Sequence, residues 1–514
     1  MPNIYIAYGS ESGNSLRLAH TLKEKLTTHG MSTFDITSIN DCAVSTLSKD
    51  DILFLVTSSF GDGEPPANAA TLHQQLLANI SVECQFAVFG LGDVSYPKFC
   101  GFSIELNELL TKSGATAIAQ RVDADVDYLP FFEQWSDAII KHLSGHPEPL
   151  KKLTLQVKPY DEKHAFSAKI KSITPLNKGD FPAYDINFDI ANSGINYLAG
   201  DLLYVLPPVN PLAIERVVLF YGVVSDSQRK LLATKELKRL NKPLIRALAK
   251  ITNSKALKAL TKMSATSQLT EYCYGRDLAD LLTDYCSIET LPLDELLTVL
   301  AEPSPRAYSI ASCGKASADT VRICIREVNY YRGAQQYTGT VSHFLAKSKV
   351  GSRVNIYTRS NPHFHLPDDT KKPLILIAAG VGIAPHIGFL ASKRQADTHL
   401  FFGERYAKND FFYEDELKHF IDTKHLTHIH TAFSRDQTQK MYVQNKIREQ
   451  GELIWALILQ GAEIYICGSK AKLDKSIDSE LTDIAIKFGA MSESNAKQWL
   501  LQLVSDSRYH KDLY

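Results

Sequence analysis

The sequence predicts a multidomain α/β chain. It has a doubly wound module in front, a small antiparallel β-barrel with a helical insertion in the middle, and a second α/β module at the rear. Three observations carry this reading. Apolar strands at Ile4–Tyr8 and at 374–379 each run into a glycine-bearing loop and then a helix, the pattern of parallel strands covered on both faces. Between them lie short alternating strands, which suit a barrel. A chain of 514 residues also has room for about three domains at roughly 100–200 residues each. The expected boundaries are 1–145 for the front module, 146–160 for a hinge, 161–368 for the barrel with its insertion at about 211–300, and 369–514 for the rear.

Composition is that of a globular protein, 44% apolar and 22% charged. The net charge of −1 conceals a division: residues 1–150 carry 8 Lys and Arg against 18 Asp and Glu, and the remainder 48 against 39. An acidic front on a basic body points to electrostatic docking, between modules or onto a basic partner, and gives no support to nucleic-acid binding. The eight cysteines (42, 84, 100, 273, 286, 313, 324, 467) include no CxxC pair and no metal-ligand spacing, which fits a reducing compartment and no bound metal. The sequence enters a strand at once, leaving no room for a signal peptide, and its longest apolar run, Leu374–Pro385, is 12 residues. The expected location is the cytoplasm.

In the front module, strand Ile4–Tyr8 leads into Gly9-Ser-Glu-Ser-Gly-Asn14 and a helix from about Ser15 to Thr28. Backbone N–H groups, hydroxyls and the positive helix end converge there on a phosphate. The loop has no Lys and is not a Walker sequence; neutral donors suit the phosphate of a flavin mononucleotide. Strand Ile52–Val56 precedes Thr57–Pro66, and strand Phe86–Phe89 precedes Gly90–Phe99. In a doubly wound sheet such loops gather beyond the carboxyl ends of the strands. Phe60 and Tyr96 are therefore candidates for the two faces of a flavin ring, or else loop aromatics anchored on the core.

These three loops, with Arg121-Val-Asp-Ala-Asp125, resemble the flavodoxin module of the diflavin reductase family, and within it the flavoprotein (alpha) subunit of NADPH-dependent sulfite reductase. The resemblance implies a flavodoxin-like domain holding FMN, with Ser10, Ser12, Gly13, Asn14 and Ser15 around the phosphate and Glu11 among the cofactor contacts. It implies further contacts from Ser58, Phe60, Gly61, Gly92, Tyr96 and Phe99, with Asp93 and Asp123 at the edge.

After the Pro- and charge-bearing segment His146–Lys152, strand patterns recur at Ala165–Ile173, Tyr184–Ile190, Leu202–Leu206, Arg306–Ser312, Val321–Val328 and Arg353–Thr358. The helical stretch from Pro211 to about Leu300 offers no catalytic constellation and is expected only to set spacing. On strand Arg306–Ser312, the two-residue period puts Arg306, Tyr308 and Ser312 on one face. Arg can pair with a pyrophosphate and Tyr can lie against an isoalloxazine ring; a half-buried strand with a surface Arg is the alternative. Gly339-Thr-Val-Ser342 opens a helix beside it. The resemblance extends here through Tyr197-Leu-Ala-Gly-Asp201, with Ala199 where Pro is usual. It implies an FAD-binding barrel with Arg306, Tyr308, Ser309, Ser312, Gly339, Thr340, Val341 and Ser342 at the cofactor and Ser309 near the reactive flavin nitrogen.

In the rear module, Leu374–Pro385 reads as strand, glycine loop and a helix from about His386; Gly380 and Gly382 let the backbone close on a pyrophosphate. A site for a 2′-phosphate needs cations where an NAD site needs a carboxylate, and Phe433–Gln444 supplies Ser434, Arg435, Lys440 and Tyr442, with Gln444 towards the adenine. The Leu374–Pro385 glycine loop resembles the nicotinamide-nucleotide loop of ferredoxin-reductase-like domains, with Val381 where Thr is usual. Cys467, on strand Ile464–Gly468, reads by itself as buried packing. The resemblance implies that it faces the nicotinamide within a Ser309–Cys467–Asp512 group, and that Tyr514 covers the FAD face that NADPH must reach. Ser469-Lys470 stands where the family has Asp-Ala, and Glu404 departs from some relatives.

Taken together, the resemblance implies an NADPH-dependent reductase that passes electrons through FAD and FMN to a metalloprotein. The sirohaem and iron–sulfur subunit of sulfite reductase is the nearest acceptor, and a haem monooxygenase the runner-up. A non-catalytic flavin-binding protein is the rival from another class. No N-terminal extension of the kind attributed to the bacterial subunit is present, an expectation that leaves a monomer or another acceptor open.

Overall fold

The computed structural model describes all residues except 1, 61–62, 94–97, 126–127, 154, 156–159 and 393–395. The chain forms two compact units, Met1–Pro159 with Ser193–Asn196, and Tyr160–Asn192 with Tyr197–Tyr514.

The first unit is built on strands β1 (Ile4–Gly9), β2 (Thr37–Ser38), β3 (Ile52–Ser58), β4 (Gln85–Leu91), β5 (Thr116–Ala117) and β6 (Val122–Ala124). They run parallel in the order β2-β1-β3-β4-β5, with β6 also paired to β4. The period of two divides the central strands between two cores. Phe54, Val56, Ala87 and Phe89 pack under helices Asn14–Thr28 and Leu129–Leu143, beside Trp135 and Phe132. Leu53, Leu55, Phe86 and Val88 pack under Ala70–Leu77 and Gly101–Lys112, beside Leu76 and Phe102. Each such side chain larger than alanine contributes about 1.5–3 kcal/mol by burial, and burial on both faces is why these strands read as continuous apolar runs. The segment expected as a hinge is in part structured: Glu148–Lys152 is helical and Leu150 is buried in the first core.

The second unit begins with β7 (Phe166–Pro175), β8 (Ala183–Asp189), β9 (Leu202–Val205), β10 (Arg306–Ser309), β11 (Thr320–Arg326), a hairpin β12 (Asn329–Arg332) and β13 (Gln335–Thr338), and β14 (Arg353–Arg359). Its antiparallel sheet runs β10-β9-β14-β7-β8-β11, and the two ends meet at an Ile310–Ile323 bridge and an Ala311 N to Arg322 O bond of 2.7 Å. This closes the barrel. The expected strand Arg306–Ser312 is therefore shorter: β10 ends at Ser309, and the next residues turn to close the ring. Ser312 does not share the Arg306 face. Its hydroxyl is buried, 2.7 Å from Tyr197 Oη, and accepts Arg322 N at 3.0 Å. The carbonyls of Ile310 and Ser312 face helix Ala384–Leu390, where a Cβ on Gly388 would lie 3.2 and 2.8 Å from them.

Between β9 and β10, seven α-helices from Pro211–Tyr221 to Leu293–Val299 enclose their own core. Several start on side-chain caps; Asn210 accepts Ala213 N at 3.0 Å and Asn241 accepts Leu244 N at 2.8 Å.

The rear sheet contains β15 (Leu374–Ala379), β16 (Thr398–Glu404), β17 (His428–Phe433), β18 (Glu463–Gly468) and β19 (Tyr509–Leu513), all parallel in the order β17-β16-β15-β18-β19. After β15 the chain makes a tight turn at Gly380–Ile383 and a helix at Ala384–Leu390, two residues earlier than expected. The tail is no frayed end: β19 pairs with β18 and sets Asp512 opposite Cys467. Among the described residues no helix is long and apolar enough to cross a membrane, and none of the His, Cys, Asp and Glu clusters could hold a metal ion.

Candidate flavin and nicotinamide sites

In the first unit the loop after β1 is held as a cradle. Ser10 N donates to Asn68 Oδ1 at 2.9 Å, and Gly13 N donates to Ser10 Oγ at 2.8 Å. Gly13 has φ +82°, a conformation that favours glycine, and it starts the Asn14–Thr28 helix. Ser12 is exposed; Asn14 accepts Arg17 Nη2 at 3.1 Å. Ser15 is fully buried and its hydroxyl has no hydrogen-bond partner among the described residues. An orphaned donor at a helix start fits an anion at this loop. Glu11 turns away from it, its carboxylate accepting Ala67 N at 2.6 Å, so that it braces the neighbouring loop.

The other front residues divide. Ser58 ends β3, where its hydroxyl reaches Gly9 O at 3.4 Å, and the Phe60 ring is 53% exposed, free to meet a ligand. Gly92 follows β4; a Cβ there would strike Cys100 Sγ at 2.7 Å. Asp93 is half-buried nearby. Phe99 is buried with Cys100, Ile104 and Phe131 and acts as a floor. Asp123 is buried and bound in two-pronged fashion by Arg121, at 2.7 and 2.8 Å. Gly61 and Tyr96 lie outside the described residues.

In the second unit, three residues far apart in sequence converge. Ser309 Oγ donates to Asp512 Oδ2 at 2.5 Å, and Cys467 Sγ lies 3.9 Å from Ser309 Oγ and 3.7 Å from Asp512 Oδ2. The barrel supplies Ser309, β18 supplies Cys467 and β19 supplies Asp512. Burial, reinforced by the Asp512 charge, pushes the Cys467 thiol well above its usual range, so it stays protonated. Tyr514 is anchored through its backbone, N to Gly468 O at 3.1 Å and O to Lys470 N at 2.9 Å; the residue as a whole is 61% exposed, while burial raises its phenol.

Around β10, Tyr308 is half-buried, and burial raises its phenol. Arg306 is held by Glu236 Oε2 at 3.0 Å and Ser304 O at 2.5 Å. The insertion thus does more than set spacing, since it brings Glu236 to Arg306 and Lys238 to Thr338 Oγ1 at 3.0 Å. A cavity lined in part by Asn210, Glu236, Lys238, Pro303 and Thr340 opens beside them. Val341 and Ser342 are buried in helix Thr340–Lys347; the Ser342 hydroxyl accepts Val328 N at 3.3 Å, and a Cβ on Gly339 would strike it.

At the rear loop Gly380 has φ +60°, and a Cβ on Gly382 would lie 2.2 Å from Cys467 O, so the turn closes directly on β18. Ser434 follows the neighbouring strand β17, buried, with N to Glu404 O at 2.9 Å. Arg435, Lys440 and Tyr442 follow, exposed, with Gln444 half-buried. Among the described residues neither Arg435 nor Lys440 pairs with a carboxylate, which fits an incoming phosphate. Sequence reasoning missed Glu236, Lys238 and the pairing of Glu404 with Arg326. All depend on contacts across long separations, and only the alternation that ends β11 on Arg326 gave a local signal.

A flavodoxin family model matches residues 6–135, and an oxidoreductase NAD-binding domain model matches 376–477. Curated relatives named sulfite reductase [NADPH] flavoprotein alpha-component align along nearly the whole chain. The protein of Shewanella oneidensis is 31% identical over 99% of this chain and 89% of its own. The chain belongs to this family. Those of Mannheimia succiniciproducens (29%, 100% of this chain and 90% of its own) and Bacillus subtilis (28%, 99% and 89%) are similar along the same span. As a member of the sulfite reductase flavoprotein family, the chain is an NADPH-dependent flavoprotein oxidoreductase. Its flavodoxin-like module, antiparallel barrel and NADP-type α/β module are the fold that the sequence predicts.

Proposed function

We propose that the chain is the electron-input component of an assimilatory sulfite reductase, delivering electrons from NADPH to a haem-bearing partner. The cofactors that go with the family are FMN, FAD and NADPH. The observation that carries the reading is the meeting of Ser309, Cys467 and Asp512 beside the glycine turn. Bound, the cofactors supply the chemistry: hydride acceptance from NADPH at FAD, and single-electron delivery from FMN.

The protein's own contribution is placement and charge. Asp512 Oδ2 accepts the Ser309 hydroxyl and so orients it, and its carboxylate would supply negative charge to a bound nicotinamide as that ring becomes cationic. The Cys467 thiol, kept protonated, packs without adding charge. Gly382 brings the dinucleotide loop against β18, so that an entering ring is oriented on Cys467. Tyr514, tied by its backbone to Gly468 and 61% exposed as a residue, covers this place and swings aside. Arg435, Lys440, Ser434 and Tyr442 select the 2′-phosphate. The modules at 1–145, 161–368 and 369–514 act as separate stations, with 146–160, whose Glu148–Lys152 helix travels with the front core, letting the acidic front module reach its acceptor. Eight unpaired cysteines support a cytoplasmic location.

Rapid mixing with NADPH is expected to bleach the flavin spectrum. Lys440→Gln and Arg435→Gln should each raise the NADPH requirement about tenfold or more without changing the response to NADH; preference for NADH would reject the assignment. Co-purification with the native partner tests the acceptor. Sirohaem absorbance supports the proposal, and an ordinary haem spectrum would transfer it to a monooxygenase.

A further inference from the structure

One ion pair at the nicotinamide crevice plays no part in the arrangement above. Strand β11 ends at Arg326, opposite the small Ala183 of β8, and the arginine side chain leaves the barrel towards the rear sheet. Its guanidinium lies over the Phe412 ring, 5.3 Å from the centroid, with Nη1 3.5 Å from Phe181 O. Nη2 is bonded to the carboxylate of Glu404, the last residue of β16, whose side chain is 6% exposed. Both ends of the pair press on the first glycine of the dinucleotide turn. A Cβ on Gly380 would stand 3.2 Å from Glu404 Oε2 and 3.3 Å from Arg326 Nη2.

This position sets a conflict. A glycine turn of this kind closes its backbone on a pyrophosphate. A buried carboxylate against the same turn repels an incoming dianion, whereas a guanidinium receives it in two-pronged fashion. The pair costs desolvation on the Glu404 side, and burial raises that carboxyl against the opposing pull of Arg326. Glu404 keeps a second bond, accepting Arg405 N at 3.2 Å, whereas Arg326 has besides it only Phe181 O at 3.5 Å and the Phe412 ring, so an anion of higher charge can take the arginine.

We infer that Arg326 and Glu404 form an ionic latch over the dinucleotide turn: Arg326 receives the diphosphate of NADPH, and Glu404 is the internal anion that holds the arginine until the dinucleotide takes it. The inference rests on the NADPH reading. It assigns opposite signs to the two ends of one pair, which a merely structural salt bridge does not.

The test is calorimetric binding of NADP+ and of 2′-AMP, which carries the 2′-phosphate but no diphosphate, to the flavin-loaded full chain and to Arg326→Gln, Arg326→Lys and Glu404→Gln. Flavin content and circular dichroism serve as folding controls. Arg326→Gln is expected to weaken NADP+ about tenfold or more, Arg326→Lys to recover part of that, and Glu404→Gln to tighten NADP+. Binding of 2′-AMP should be unchanged throughout. Two results overturn the latch: a shift in the same direction from both neutral variants, or an equal loss of 2′-AMP and NADP+ binding in Arg326→Gln. Failure of both ligands to bind the unaltered chain would instead reject the NADPH reading beneath it. Should Glu404→Gln lose its flavin, the Arg326→Lys and Arg326→Gln pair still decides the matter through the contrast between the two ligands.

Discussion

The loop after β1 and the loop after β15 follow the same plan and solve different problems. Each leaves the first strand of a parallel sheet, at the point where strand order reverses, and each enters a helix. The front loop is built of serines and glycine, is partly exposed, and carries an orphaned buried hydroxyl at Ser15. The rear turn is apolar and pressed onto the backbone of β18, and its charged side chains arrive from elsewhere: Arg326 from the barrel, Arg435 and Lys440 from beyond β17. A cofactor kept in place can be held by local neutral donors. A dinucleotide that must come and go is better served by cations on separate elements, where affinity can be set without rebuilding the turn.

The sharpest way to separate the two regions is Asp512→Asn. Removing the charge behind Ser309 is expected to slow flavin reduction by NADPH about 10²-fold or more while FMN content stays unchanged; stopped-flow bleaching and ligand extraction read the two. Next come the glycines. Gly382→Ala drives a Cβ to 2.2 Å from Cys467 O, and should cost about 1–3 kcal/mol of stability together with NADP+ binding. Gly13→Ala meets nothing within 4 Å and costs only the left-handed backbone, about 1 kcal/mol, in chemical denaturation.

Acid should act on the rear first. Burial holds His386 and His430 down to about 4 from an ordinary value of 6.5, against a single half-buried His142 moved the same way in the described front unit. The unfolded chain takes up protons that the folded chain refuses, so stability is full above about 6.5 and falls as pH drops towards 4. Each rear histidine contributes a slope of about 1.4 kcal/mol per pH unit. Denaturation at pH 6.5 and 5 should show this slope; burial lowers His399 as well, so His386→Leu should remove only one histidine's share of it. The smallest effect is Ser15→Ala: the flavin-free protein should be as stable or up to about 1 kcal/mol more stable, with weaker FMN retention on dialysis.

The same contrast explains what was legible. The front cradle could be read because Ser10 to Ser15 are adjacent, and strand, turn and helix each announce themselves locally. Fold class followed from the apolar strands, whose two-faced burial leaves a period-free run. Placements made across long separations have a different physics. Ser312 is turned inward by barrel closure, Glu236 captures Arg306 across the insertion, and Asp512 is placed by a parallel pairing with β18. Register between distant strands leaves no mark on either strand alone. Glu11 and Phe99 were drawn towards the ligand by their loops, but hydrogen bonding to Ala67 and burial claim them.

Gly388 sits so close to the Ile310 and Ser312 carbonyls that its helix has no clearance on which to slide. Barrel and rear sheet thereby meet in close backbone contact along this helix, an arrangement that favours a fixed slot between them over a jaw. Admission to that slot is then a matter of rim side chains turning, and its kinetics should carry the shallow temperature dependence of rotamer exchange.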